Sequence, residues 1–315
     1  MKLIPDKKLN VLISIAMLEI ITILVCYILL KPRPSQNLAF LNLMENPVKF
    51  STDYYGHEYQ GNTENLIDAS VVFFGAYEKH ILHFLRDITK PNSIFADIGA
   101  NTGIHSLFMS NHAKTVHAFD PYLPVINRLE ETIKLNEIDN IKVHKIGLGS
   151  KNHIIPFYSP PDNNIGTGSF EKDVNNKNSQ KAIELQVVTG DSFFQENEIS
   201  DIDIIKIDIE GYEKSALQGL ANTLMKNRPF VIMEVSILPK ESFTFQNTKE
   251  LIALFPKEYD FLSFEPTKGM ERDGNYFLKK IDIDFSRRQQ YNLLFFPEEK
   301  KEQFSRKREF HRLKK

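Results

Sequence analysis

The stretch Ser93-Ile-Phe-Ala-Asp-Ile-Gly-Ala-Asn-Thr-Gly103 constrains the fold more than any other part of the chain. Ile94, Phe95 and Ala96 read as a short buried strand, and an acid, two glycines and a helix-starting Asn-Thr pair follow it. An open parallel sheet binds ligands outside the carboxyl ends of its strands, where the strand order reverses. Glycines at that edge let backbone amides approach a ligand closely. The spacing Gly99-x-x-x-Gly103 differs from the Gly-x-Gly-x-x-Gly that cradles a dinucleotide pyrophosphate, which disfavours a nicotinamide-dependent oxidoreductase.

Downstream the pattern alternates. A helix is predicted over Thr102 to His112, a strand over Thr115 to Asp120 and a helix over Leu123 to Leu135. A strand over Ile141 to Ile146 then runs into Gly147-Leu-Gly149. Strands follow over Glu184 to Val188 and Asp203 to Asp208, then a helix over Tyr212 to Leu224 and a strand over Phe230 to Val235. A helix over Lys249 to Phe255 and strands over Tyr259 to Phe264 and Tyr291 to Phe296 complete it. Strands alternating with helices predict an α/β fold with a doubly wound, mostly parallel sheet. The two late strands, with no long helix between them, predict an antiparallel edge hairpin. Tyr77 to Leu85 has helical spacing that ends before Pro91 and packs ahead of the first strand. The polar, Gly/Asn-rich segment from Lys151 to Gln180 reads as a long loop, with Ile154 to Ser169 as a lid.

The ends of the chain bear on location. Leu9 to Leu30 is an almost uninterrupted apolar run, about the ~20 residues that cross a bilayer core, and reads as a transmembrane helix after a short tail, 1–8. A cleaved signal peptide would have a shorter apolar core and a small-residue cleavage site, which Leu30-Lys31-Pro32-Arg33-Pro34 lacks. Residues 31–70 read as a linker and irregular extension containing Tyr54, Tyr55, His57 and Tyr59, and 71–298 as the folded domain. The basic tail, 299–315, reads as a solvated end, with an anionic-lipid contact as the alternative. A net charge of −2 with interspersed signs argues against a nucleic-acid partner. Cys26 is the single cysteine, so neither an intramolecular disulfide nor a cysteine-built zinc site is available, and no metal site is expected.

Asp120 closes the second strand of the alternation, one strand-helix-strand unit after Asp97. An acid there accepts hydrogen bonds from both hydroxyls of an adenosine ribose; the alternative is a cap for the helix near Pro121. A ligand with an adenosine and a zwitterionic amino-acid tail, S-adenosylmethionine, suits this acid and an open loop. Asp97 would hold its ammonium, directly or through water, and the loop amides its carboxylate. Lys206-Ile-Asp208-Ile-Glu210-Gly-Tyr-Glu213 ends a buried strand in carboxylates. Methyl transfer to a hydroxyl is an in-line displacement in which alignment does much of the work and a base removes the proton. Asp208 is the first candidate base and Glu234 the second, whereas Glu210 reads equally as a helix cap.

Together, Asp97-Ile-Gly-Ala-Asn-Thr-Gly103, Phe119-Asp120-Pro121, Thr189-Gly-Asp191 and Lys206 to Glu213 resemble the FkbM family of S-adenosylmethionine-dependent methyltransferases. The resemblance runs from about Tyr77 to Phe296. It implies a class I methyltransferase (Rossmann-like) fold with an antiparallel last strand pair, and O-methylation of sugars or natural products. The cofactor-binding candidates are Glu78, Asp97, Gly99, Ala100, Asn101, Thr102, Gly103, Asp120, Pro121, Gly147 and Asp208. Gly190 stands where the family commonly has leucine, which leaves the role of Asp191 open, and an amino-terminal span is not part of the shared domain. The expectation is a membrane-anchored methyltransferase acting on a hydroxyl of a glycan, glycolipid or small molecule; the alternative is an inactive interaction module. Lys2, Lys7 and Lys8 against Lys31 and Arg33 would put the amino terminus inside and the domain outside. The methyl donor is made in the cytosol, and on that ground the domain is expected on the cytosolic face.

Overall fold

Ile94–Ile98 forms the expected strand and pairs in parallel on both flanks, which explains why its sequence is apolar throughout rather than alternating. The computed structural model describes residues 47–158, 182–238, 244–265 and 274–304. All of them but Pro47 lie in a compact unit that begins at Val48. The apolar run from Leu9 to Leu30, most of the basic tail and most of the proposed lid lie outside the described residues. Among the described residues no helix is long and apolar enough to cross a membrane.

In chain order the elements are β1 (Lys49–Tyr54), β2 (His57–Asn62), α1 (Leu66–Phe74), α2 (Lys79–Ile88), β3 (Ile94–Ile98), α3 (Ile104–Ser110), β4 (Thr115–Phe119) and α4 (Leu123–Leu135). Then come β5 (Ile141–His144), β6 (Gly147–Gly149), β7 (His153–Tyr158), β8 (Ala182–Thr189), α5 (Gly190–Glu196), β9 (Ile202–Ile207), α6 (Glu213–Gln218) and α7 (Ala221–Asn227). The last are β10 (Phe230–Ile237), α8 (Thr248–Ile252), β11 (Tyr259–Phe264), β12 (Leu278–Lys279) and β13 (Gln289–Pro297). The main sheet has the order β12-β11-β13-β10-β9-β3-β4-β5. Strands β10, β9, β3, β4 and β5 run parallel, and β13 is antiparallel to both β10 and β11, so the expected antiparallel pair is present. The order reverses between β3 and β9. Ligands of such sheets bind at that switch point, and Asp97 and Asp208 belong to its two sides. Phe95 and Ile204 face one apolar layer while Ala96, Ile98, Ile205 and Ile207 face the other, so both faces of the sheet are buried.

The extension read as irregular, 31–70, contains a hairpin and a helix of the domain itself. Tyr55 and Gly56 turn β1 into β2 with φ of 54° and 91°, as a two-residue turn matched to strand twist requires. Asn65 caps α1 by accepting from the amides of Ile67 and Asp68. Tyr54 and Tyr59 point inward and are buried. The Tyr54 hydroxyl donates to the Ile104 carbonyl, and that of Tyr59 to the buried Asp68 carboxylate, which also takes Arg128 at 2.9 Å. These tyrosines hold the hairpin to the domain. His57 Nε2 meets Ser110 Oγ at 3.1 Å, a local contact.

The region read as a lid begins as a strand. β7 pairs antiparallel with β8, and β6 pairs parallel with β8 on its other side. The helix expected over Tyr212 to Leu224 is two helices. A Cβ on Gly219 would lie 1.8 Å from the Gly149 carbonyl oxygen, so backbone meets backbone where α6 ends. Asp191 caps α7 from a distance, accepting from the amides of Asn222 and Thr223 at 2.8 Å each and from Thr223 Oγ1 at 2.7 Å. A Cβ on Gly190 would lie 2.3 Å from Leu220 Cδ2, which accounts for glycine here. Asp191→Ala is expected to lower stability by about 0.5–2 kcal/mol, read from the denaturant midpoint, without changing ligand affinity. A loss of affinity at unchanged stability would make Asp191 a site residue instead.

Candidate active site

The loop after β3 is built by its backbone. Gly99 has φ of 86°, and a Cβ there would lie 1.9 Å from the Asp208 carbonyl oxygen. The amides of Gly99 and Ala100 both donate to the Phe119 carbonyl, at 2.9 and 3.0 Å. Asn101, at φ of 53°, donates its amide to Asp120 Oδ2 at 2.9 Å. The Thr102 amide donates to Asn101 Oδ1 and the Gly103 amide to the Ala100 carbonyl. The amides of residues 99–101 are thus spent on tying β3 to β4, and those of Thr102 and Gly103 on closing the loop on itself. This corrects the expectation that they meet a ligand carboxylate: the loop shapes the cleft instead. Thr102 is buried, with its hydroxyl beside that of Tyr59, and Gly103 gives room to Leu129.

Asp97 is fully buried beneath this loop. Its Oδ2 accepts from Ser106 Oγ at 2.7 Å, and its Oδ1 has no hydrogen-bond partner. Burial pushes its pKa up, offset in part by the Lys206 ammonium. Asp120 lines the cleft, and its Oδ1 accepts from the Tyr122 amide at 2.8 Å in a local turn, so it does not cap α4. Burial pushes Asp120 up to about 6, against the pull of its two amide donors.

Across the switch point stands Lys206, 4% exposed in a strand otherwise apolar around it. Its Nζ lies 3.2 Å from Asp208 Oδ2. Burial alone would lower its pKa, but Asp208, Asp97 and Glu78 together hold it above the ordinary lysine value. Glu78 precedes α2 in the left-handed region and accepts from Asn292 Nδ2 at 3.0 Å. His105 Nε2 lies 3.5 Å from Glu78 Oε2. Burial, then Lys206 and His80, keep His105 well below the usual imidazole range, so the pair is not an ion pair near neutrality. Met233 pairs with Ile207, which makes Glu234 and Asp208 the next residues of adjacent strands. Burial, followed by the charges of Asp208, Glu78 and Glu210, pushes Glu234 up to about 10. A carboxyl that keeps its proton at neutral pH is a hydrogen-bond donor, so the expectation of Glu234 as a general base does not hold for this state.

Gly99, Ala100, Asn101, Asp120, Pro121, Gly147 and Asp208 line one cleft, between apolar walls that include Val125, Leu148, Phe157 and Val187. Asp97, Thr102 and Gly103 support it from behind, and Glu78 and Glu234 reach it through Lys206 and Asp208. Lys206 and His105 also line the cleft and were not singled out from sequence. A lysine inside a buried strand was the available signal for the first. The second sits in the first turn after the glycine loop and carries no pattern of its own.

The family model for the methyltransferase FkbM domain matches residues 97–263. Hexuronic acid methyltransferase AglP of Haloferax volcanii is 26% identical over 158 residues, covering 50% of this chain and 62% of that protein. The ribosomal protein L11 methyltransferase of Thermoanaerobacter pseudethanolicus is 36% identical over 101 residues, 30% of this chain and 33% of that protein. The chain therefore spans less than two thirds of the length of these relatives. Among solved structures, methyltransferase FkbM from Methylobacillus flagellatus aligns with a TM-score of 0.44 and 16% identity, over 70% of this chain and 48% of that one.

Proposed function

We propose that this chain, which belongs to the methyltransferase FkbM family, transfers a methyl group from S-adenosylmethionine to a hydroxyl of a sugar or other small acceptor. The observation that carries the reading is the meeting, at one switch point, of a buried acid with an unpartnered oxygen, a cleft that admits only glycine at residue 99, and a second acid facing the cleft. These groups fit the cofactor. Asp97 Oδ1 suits its ammonium, Asp120 retains lone pairs for a ribose diol, and the apolar walls suit an adenine. When bound, the cofactor supplies an electrophilic methyl group on a sulfonium.

The chain's own residues do the rest. Lys206 holds one oxygen of Asp208, while Oδ1 takes no hydrogen bond from the described residues, which supports its reading as the group that receives the acceptor's hydroxyl proton. The oxygen that loses this proton would form the new bond to the methyl carbon as the methyl–sulfur bond breaks, its electron pair staying on sulfur. Asp120→Ala is expected to weaken cofactor binding by about 1.5–3 kcal/mol in calorimetry, the value of hydrogen bonds to a charged group. Unchanged affinity would remove Asp120 from the site.

The archaeal relative's name, a hexuronic acid methyltransferase, supports a sugar acceptor. A hydroxyl acceptor is tested with isotopically labelled methyl donor: an ether survives mild alkali, and label that alkali releases would point to a carboxylate acceptor. On the apolar run Leu9 to Leu30 rests the further proposal of a membrane anchor with the domain on the cytosolic face. In sealed vesicles with the cytosolic face outward, added protease then digests the domain; protection would place it across the membrane.

A further inference from the structure

Two strands of the main sheet outrun their neighbours. β9 pairs with β10 only as far as Met233, and β11 pairs with β13 only from Leu293 onward. Glu234–Ile237 and Gln289–Asn292 therefore continue as a two-stranded lip beside the end of β9. Side chains alternate across it. Val235 and Ile237 are buried in the core, with Tyr291 packed against the same cluster.

The other face changes character where the lip begins. Ile232, Leu294 and Phe296 on that face are core residues, whereas Glu234, Ser236, Gln290 and Asn292 are polar. Gln290 Nε2 donates to Glu234 Oε1 at 2.7 Å, and Asn292 Nδ2 donates to Glu78 Oε1 at 3.0 Å. Carboxyl and carboxamide groups thus alternate along the face. Next to Glu78 stands His105, 4% exposed, lining the cleft with an Nε2 that has no hydrogen-bond partner. A buried ring nitrogen left without a partner costs free energy unless a ligand supplies one.

We propose that the polar face of this lip receives the methyl acceptor, that the acceptor meets it as an uncharged polyol of the hexopyranose type, and that Gln290 and Asn292 select it. This rests on the methyltransferase reading above. Gln290 Nε2 already gives to Glu234 and to Ser236 Oγ at 3.3 Å, so vicinal hydroxyls would donate to the carboxamide oxygens of Gln290 and Asn292 and accept from the second N–H of Asn292. A carboxylate at the same place would face Glu78 and Asp208, with the buried ammonium of Lys206 already engaged by Asp208. The lip also adjoins Asp208, so a ring held there brings a hydroxyl to the residue that takes its proton.

The test uses the whole 315-residue chain in detergent at pH 7, saturated with S-adenosylhomocysteine as an unreactive stand-in for the cofactor. It is titrated with the methyl glycosides of glucose, galactose and mannose, and with the corresponding uronates. At least one neutral glycoside is expected to bind, and its uronate about tenfold more weakly or worse. Gln290→Ala, at an exposed position, should weaken the neutral glycoside about fivefold and leave S-adenosylhomocysteine affinity within about twofold. Equal or tighter uronate binding, an unaffected Gln290→Ala variant, or no glycoside binding by a chain that holds S-adenosylhomocysteine would each overturn the proposal. A folded chain that fails to bind S-adenosylhomocysteine would overturn the methyltransferase reading instead.

Discussion

Asp208→Asn lowers the rate of methyl transfer about 100-fold or more and leaves cofactor affinity near that of the parent chain. The size follows from general-base catalysis, worth about 10²–10⁴-fold where a positioned group takes a proton in the transition state. An amide of the same shape fills the same space beside Lys206 but cannot accept the acceptor's proton. The effect should fall on kcat, because the groups assigned to the cofactor, Asp97 and Asp120, are untouched. Glu234 is not expected to compensate, since its carboxyl holds a proton near neutrality. Turnover equal to the parent chain would move the base onto the acceptor or another residue.

Gly99→Ala combines two costs at one atom. Its φ of 86° is disfavoured for any residue with a side chain, and the added Cβ would lie 1.9 Å from the Asp208 carbonyl oxygen and 2.8 Å from Ile209 Cγ2. A left-handed non-glycine residue costs about 1–3 kcal/mol. Forcing atoms into a closed space costs about as much again. The ends of β3 and β9 must part to admit the methyl group, and the separation carries Asp208 with it. The variant should therefore lose both stability, by about 2–6 kcal/mol on these two terms, and cofactor binding. Gly56→Ala is the control: φ is 91° but nothing lies within 4 Å, so only the conformational cost applies. If the two variants were equally stable, the close approach at Gly99 would not be what constrains the loop.

Strongly patterned segments were legible in the sequence. The helix Leu123–Leu135 and the strand Tyr259–Phe264 begin and end where periodicity and flanking residues place them. The β1–β2 hairpin was not legible, because its inward face is carried by tyrosines between polar residues, with few of the aliphatic side chains that mark a strand. Gly219 ends a helix that its local sequence would continue, because the obstacle is the Gly149 backbone from another element.

In the site, the acid near the end of β3, the glycines after it and the acid after β4 stand out because one strand-helix-strand unit separates the two acids. The use of the loop amides does not, since it depends on the Phe119 carbonyl arriving from a neighbouring strand. Lys206 owes its charge to carboxylates from a helix start and two strand ends, and Glu234 owes its retained proton to burial and the same crowding. Such properties belong to the assembled sheet rather than to any segment of it.

The Asp97–Gly103 turn, with Asp120, is the proposed methyl-donor pocket. Calorimetric titration of the 315-residue chain with S-adenosylmethionine should show saturable binding at a single site, weakened by Asp120→Ala; a folded chain that binds none would rule the pocket out.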